Sequence, residues 1–377
     1  MLHGRDASDK PQCGLDSQSA RAMPEAGAIR ASFAVNGGTM KAWILEDARK
    51  LKMQEFPPTE VKNDDIKVKI EEVLLSNFDY EVYSGASKRK YPFIIGRNAV
   101  GVVSQVGDPE NAYFRKMDRV VIEPYVACEE CKECKSGHYE HCSNMQELGY
   151  NTDGLLQNFV DVHYSQLHRL PDSISMDKAL FVPYVAFCLN IVDALNLEKG
   201  RHIAIFSSSK TGLILAQLIA YYQAVPVFIS DKQELLQAAR EMGIFYSFDI
   251  DKTDVEKELT LITGGRLCSE IVYFSNGDFN FKNIYDVAAM NANICLVDYS
   301  NKESKISVAQ ICKKHLNIFG VYNGAGSFSS AINMLVTDTV NVDLLLGKKI
   351  DFDKLDGEVT KIAPGELVLK SHIIKIN

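Results

Sequence analysis

CEECKECKSGHYEHC, residues 128–142, sets four cysteines at C-x2-C-x2-C-x7-C: Cys128, Cys131, Cys134 and Cys142. Two-residue intervals let a tight turn bring sulfurs to a common point about 2.3 Å from a tetrahedral Zn²⁺. Apart from Tyr139, the residues between them are Glu, Lys, Ser, Gly and His, which favour loops and bury little. A metal would therefore supply the local fold. Three readings compete: a zinc knot, a pair of disulfides, and four unrelated thiols. No secretory segment precedes the cluster, and cytosolic thiols stay reduced, so zinc is expected. Four thiolates leave the ion no open position, which makes one structural, non-catalytic zinc per chain the expectation.

Around this lobe the 377-residue chain has room for two domains, each with its own core. With 46% hydrophobic and 24% charged residues its composition is that of a globular protein. A net charge of −8 argues against general binding to nucleic acid or anionic membranes. No apolar run is long enough to span a bilayer, and a cytoplasmic location is expected. The other cysteines, Cys13, Cys188, Cys268, Cys295 and Cys312, are scattered. Four of these sit in apolar surroundings and are expected to be buried.

Residues 1–39 read as a disordered leader, small-residue-rich and without periodicity, and Met40 reads as the true start. From Lys41 the pattern is β-rich: KAWIL, IKVKI, VGVVSQVG and DRVVIEP precede the lobe (124–145), and GLLQNFVDVHY follows it. From VAFCLNIVDAL onward, helix and strand patterns alternate. IAIF (203–206) leads into TGLILAQLIAYYQA, and PVFIS (226–230) into KQELLQAAREM with Gly243 as its stop. EIVYFS, NICLVDY and LNIFGVY continue the series. Such alternation predicts a parallel, doubly wound α/β sheet over 186–324, because parallel strands need crossover helices. Residues 40–185 and 325–377 are assigned to the β-rich domain.

A dinucleotide-binding fold carries G-x-G-x-x-G between the first strand and its helix. Here the turn reads Ser207-Ser208-Ser209-Lys210-Thr211-Gly212, and only the last glycine remains. Serine at the second glycine position puts a Cβ where pyrophosphate should approach, with strain expected if φ must be positive. The serine hydroxyls and the helix N-terminus still offer donors to phosphate. Asp231, 19 residues after Gly212, stands where an acid would bind the adenine ribose. That would favour NAD(H) over NADP(H). Its alternative role is an N-cap of the 232–242 helix.

From Met40 to its end the chain resembles the medium-chain dehydrogenase/reductase family of zinc-type alcohol, sorbitol and threonine dehydrogenases. The cysteine lobe after DRVVIEPYVAC matches that family's structural-zinc loop. YPFIIGRNAVGVVSQVG is similar to its P-x-x-x-G-H-E-x-x-G-x-V-x-x-V-G. The resemblance implies a GroES-like β-barrel domain beside a Rossmann domain, an active site in the cleft between them, and a homodimer or homotetramer.

The catalytic-metal positions of that pattern depart from it. The cysteine of C-G-x-D-x-H falls on Ser76, the histidine and glutamate of G-H-E on Arg97 and Asn98, and the glutamate of E-P on Val182. The relay positions become Phe78 and Glu81, while Asp79 keeps the family's structural aspartate. A permanent cation and an aliphatic side chain cannot ligate zinc, so a metal-free cleft is expected. Arg97, Asn98, Ser76 and Tyr80 are the candidate catalytic groups: Arg97 to polarise a carbonyl or clamp an anion, Tyr80 to donate a proton. The competing role for Arg97 is an ion pair with Asp79 or Glu81. The expected function is NAD(H)-dependent reduction of an activated carbonyl or double bond of a small molecule, without catalytic zinc. The alternative is a catalytically degenerate nucleotide-binding or scaffold protein on the same fold.

Overall fold

A computed structural model describes residues 39–86, 90–108, 113–277, 279–297, 303–363 and 365–376. Residues 1–38, with Cys13, lie outside the described residues.

The β-rich half is built on the strand Asp65–Leu75, which pairs antiparallel with Asn98–Val106, Phe159–His163 and Ser371–Lys375. Covered on both sides, this strand buries Ile66, Val68 and Ile70 completely. The hairpin Met40–Asp47 and Lys50–Phe56 closes over it with Phe93–Ile94. Its core holds Trp43, the only tryptophan of the chain. The Trp43 indole N–H donates to the Phe352 carbonyl at 2.8 Å, and its ring meets Phe352 edge-on. The chain end does return here, since Leu346–Asp351 and Ser371–Lys375 complete the same sheet.

The other half is one sheet of six parallel strands: His202–Phe206, Val225–Ser230, Tyr246–Asp249, Cys268–Phe274, Ala288–Val297 and Asn317–Gly320. Counted in chain order they lie side by side as 3-2-1-4-5-6. The order reverses between the first and the fourth, and ligands settle outside the carboxyl ends of strands at such a switch point. Five of these strands are apolar runs that sequence periodicity marks. The third, YSFD, has no such pattern because it is an outer strand with only partly buried side chains.

The helix Val182–Ala194, with Pro183 in its first turn, joins the halves. It packs against Lys210–Tyr221 and Phe328–Val336 in a core that also takes in Leu74, Val100 and Val121 of the β-rich half. Cys188, Cys268 and Cys295 are buried as expected, whereas Cys312 is exposed.

Candidate active site and structural metal site

The four lobe cysteines converge. Cys131 caps the short helix Lys132–Lys135, accepting the Cys134 N–H, while the Cys128 N–H donates to the Cys142 sulfur at 3.3 Å. All four sulfurs lie within 4.8 Å of one another. Tetrahedral Zn–S bonds of about 2.3 Å put sulfurs about 3.8 Å apart, so the cluster needs little adjustment to hold the ion. No other group of three or more His, Cys, Asp or Glu converges in this way among the described residues. At the base of the lobe, Tyr125–Val126 pairs with Gln146–Glu147. The Asn323 amide donates to the Glu140 carbonyl and so ties the lobe to the loop after the last parallel strand.

Between the halves lies an open cleft. Ser76, Arg97 and Asn98 face it from one side, and Ser209, Lys210 and Thr211 from the other. Ser76 is the N-cap of the helix Asn77–Ser84, in a capping box with Asp79. The Asp79 carboxylate accepts the Ser76 N–H at 2.9 Å, the Ser76 hydroxyl, and the Gly96 N–H at 3.2 Å. Burial pushes the Asp79 pKa up against these bonds. Gly96 adopts φ +98°, a left-handed turn that sends the next side chain, Arg97, into the cleft.

Arg97 has a partner that the sequence reading did not name, Glu147. Its guanidinium donates to Glu147 Oε2 at 2.7 Å, and its carbon lies 5.1 Å from the Phe78 ring centre and 5.7 Å from that of Tyr150. Both partners of the pair are nearly inaccessible, with side chains 11% and 3% exposed. Removing one member of a buried pair leaves an uncompensated charge, so Glu147→Ala should cost about 3–5 kcal/mol in urea unfolding. Glu147→Gln, which keeps an acceptor, should cost less; equal stability of parent and both variants would contradict this role.

Tyr80 is the candidate that the fold does not bring to the cleft. Its hydroxyl donates to the Ile362 carbonyl at 3.1 Å, and its ring packs on the β-rich core. Tyr184 and Tyr125 line the cleft instead. The Tyr184 hydroxyl lies against Ser76, and burial, followed by the Asp79 carboxylate, raises its pKa well above the phenolic value. Sequence reasoning passed over Tyr184, although it follows Val182-Pro183, the pair already placed in the cleft. His168 pairs with Glu123 at 2.7 Å, and Cys188 is buried against the Thr211 carbonyl.

In the nucleotide turn no serine takes a positive φ, and Ser209 is extended at φ −145°, so the expected backbone strain is absent. The Ser207 hydroxyl donates to the Ser209 carbonyl and accepts its N–H, folding the turn upon itself. Gly212 has a steric reason: a Cβ there would sit 2.5 Å from the Ser207 Cβ. Asp231 does not cap the following helix, whose N-cap is Lys232. Its carboxylate accepts the Ser208 hydroxyl and pairs with Lys232 at 2.7 Å. Burial alone would raise the Asp231 pKa, but Lys232 and Ser208 outweigh it and hold it below the carboxylate range. The acid at the end of the second strand is therefore ionised and held by the turn, even without the glycines.

Residues 62–172 match the model of the alcohol dehydrogenase GroES-like domain. The chain is 26% identical to an uncharacterized zinc-type alcohol dehydrogenase-like protein of Haemophilus influenzae, over 86% of this chain and 95% of that one. It is 24% identical to sorbitol dehydrogenase of Bacillus subtilis, over 89% and 96%. Among solved structures it is similar to a short chain alcohol dehydrogenase of Escherichia coli complexed with NADH. The TM-score there is 0.80 at 20% identity, covering 90% of this chain and all of the other.

Proposed function

We propose, for a chain that belongs to the medium-chain dehydrogenase/reductase family, an NAD(H)-dependent reduction of an activated carbonyl or double bond without metal in the cleft. One observation carries the metal-free part. At the position where the zinc-type pattern has a histidine ligand, Arg97 holds a fixed cation, paired with Glu147 and enclosed by aromatic rings. Ser76, Asn98 and Val182, at the other ligand positions of that pattern, complete no set of zinc donors, and a permanent guanidinium repels a second cation.

When bound, the nicotinamide supplies the hydride; the chain has to hold the acceptor and supply a proton. Asn98 and Arg97 line the cleft as donors toward a developing oxyanion, which conjugation already spreads over several atoms. Tyr184 lines the cleft and keeps its proton at neutral pH, which makes it the candidate donor to that oxyanion. Asp231 stands where it would meet the adenine ribose hydroxyls, which supports NAD(H) over NADP(H). A small-molecule substrate, a cytoplasmic location and a homo-oligomer belong to the same reading.

The test is metal content and NADH titration on one preparation, followed by a panel of enones, aldehydes and simple alcohols. One zinc per chain, NADH binding and reduction of a conjugated acceptor are expected. Ethanol and sorbitol should be oxidised poorly, because nothing in the cleft lowers a hydroxyl pKa as a metal would. Chelator-sensitive oxidation of either, or a second zinc per chain, overturns the reading.

A second reading, a non-catalytic nucleotide-binding or scaffold protein, is favoured by the inward-turned serine hydroxyls of the turn. Failure to bind NADH at millimolar concentration would select the scaffold; binding without turnover across the panel would select the nucleotide-binding protein.

A further inference from the structure

Lys210 is the first residue of the helix Lys210–Tyr221, and it is 3% exposed. A cation is unfavourable at the positive end of a helix dipole, and burial without a counter-ion adds to that cost. The Lys210 ammonium has no ion-pair partner among the described residues. Its one acceptor is the Leu367 carbonyl at 2.5 Å, while its backbone N–H reaches the Val368 carbonyl at 3.3 Å. Both carbonyls belong to the segment Gly365–Lys370 that leads into the strand Ser371–Lys375, so the β-rich half covers the start of the helix. The ammonium is thus held by a neutral carbonyl, at the turn where the pyrophosphate of a dinucleotide would rest.

Resting on the cofactor reading above, we propose that Lys210 is a proton-linked receptor for a pyrophosphate-type anion. Its ammonium and backbone N–H exchange the Leu367 and Val368 carbonyls for phosphate oxygens. The charge of one lysine thereby substitutes for close backbone approach in a turn that has lost its first two glycines.

The acids that act on Lys210 are Glu234, on the next helix, and Asp79, across the cleft. The facing basic group is His372 on the strand Ser371–Lys375, paired with Glu366 at 3.0 Å. Burial outweighs both acids and pushes Lys210 down to about 7. An anion beside it would raise that pKa, so binding above neutrality takes up a proton. The affinity is then full below pH 7 and declines as pH rises above it.

Calorimetric titration of the full chain with NADH and with inorganic pyrophosphate, in buffers of differing ionisation enthalpy, tests this. The two ligands should compete. Both should show proton uptake at pH 7.5, and affinity should fall about tenfold per unit between pH 7.5 and 9. Lys210→Met keeps the buried stem without its charge; it should bind both ligands at least about tenfold more weakly and without proton uptake. His372 is still present in that variant, so the lost uptake belongs to Lys210. Parental affinity and uptake in Lys210→Met would overturn the inference and leave the cofactor reading intact. Pyrophosphate binding through Lys210 without NADH binding would keep the anion site and end the dehydrogenase reading. If the parent protein binds neither, both fall.

Discussion

Tyr184→Phe is expected to bind NADH as tightly as the parent and to reduce its best acceptor about 10²- to 10⁴-fold more slowly, the range lost with a general acid. The substitution removes one oxygen from the cleft wall and leaves the ring, so packing changes little. What goes is the proton donor placed between the cleft and the Ser76–Asp79 bond. The raised Tyr184 pKa gives the experiment a sign. The hydroxyl stays protonated through neutral and mildly alkaline pH, so kcat should show no falling limb from its ionisation there. A Tyr184→Phe enzyme with parental kcat, or one whose loss lies in NADH affinity alone, would remove Tyr184 from the chemistry. Tyr80→Phe should leave kcat near the parental value, because the Tyr80 hydroxyl is committed to Ile362 away from the cleft.

Cys131→Ala is the second large effect. Within residues 128–142 only Cys134 and Cys142 are buried, so the loop has no hydrophobic core to fall back on. Its order rests on the metal, whose binding free energy in small closed sites is of order 10 kcal/mol. The variant should lose its zinc and become cleavable by protease between residues 129 and 141, where the parent resists. The damage should reach the cleft as well. The strands at the base of the lobe carry Tyr125 and Glu147, and Glu147 is the partner that holds Arg97. Turnover should therefore fall with zinc content, although the proposed cleft chemistry uses no metal. Parental turnover and protease resistance in a zinc-free variant would break this connection.

What could be read in the sequence was what is local. The cysteine spacing, the strand–helix alternation and the acid after the second strand all lie within short windows, and each appears where expected. The capping pair Ser76–Asp79 is local too. What escaped depends on residues distant in the chain. Arg97 finds Glu147 fifty positions later, because the lobe's base strand folds back over the Gly96 turn. Lys210 meets Leu367 157 positions away, through a segment whose own pattern announces only the last strand. The strand Tyr246–Asp249 was missed for a different reason: only partly buried at the side of the sheet, it had no need of an apolar pattern.

The solitary indole in the β-rich core gives the molecule a built-in witness to one half of itself. Trp43 emission reports the packing around Phe352 and not that of the parallel sheet, for which amide circular dichroism would have to speak instead. Two optical signals thus divide the chain along its own seam. Their coincidence or separation during heating measures whether the halves melt as one cooperative body.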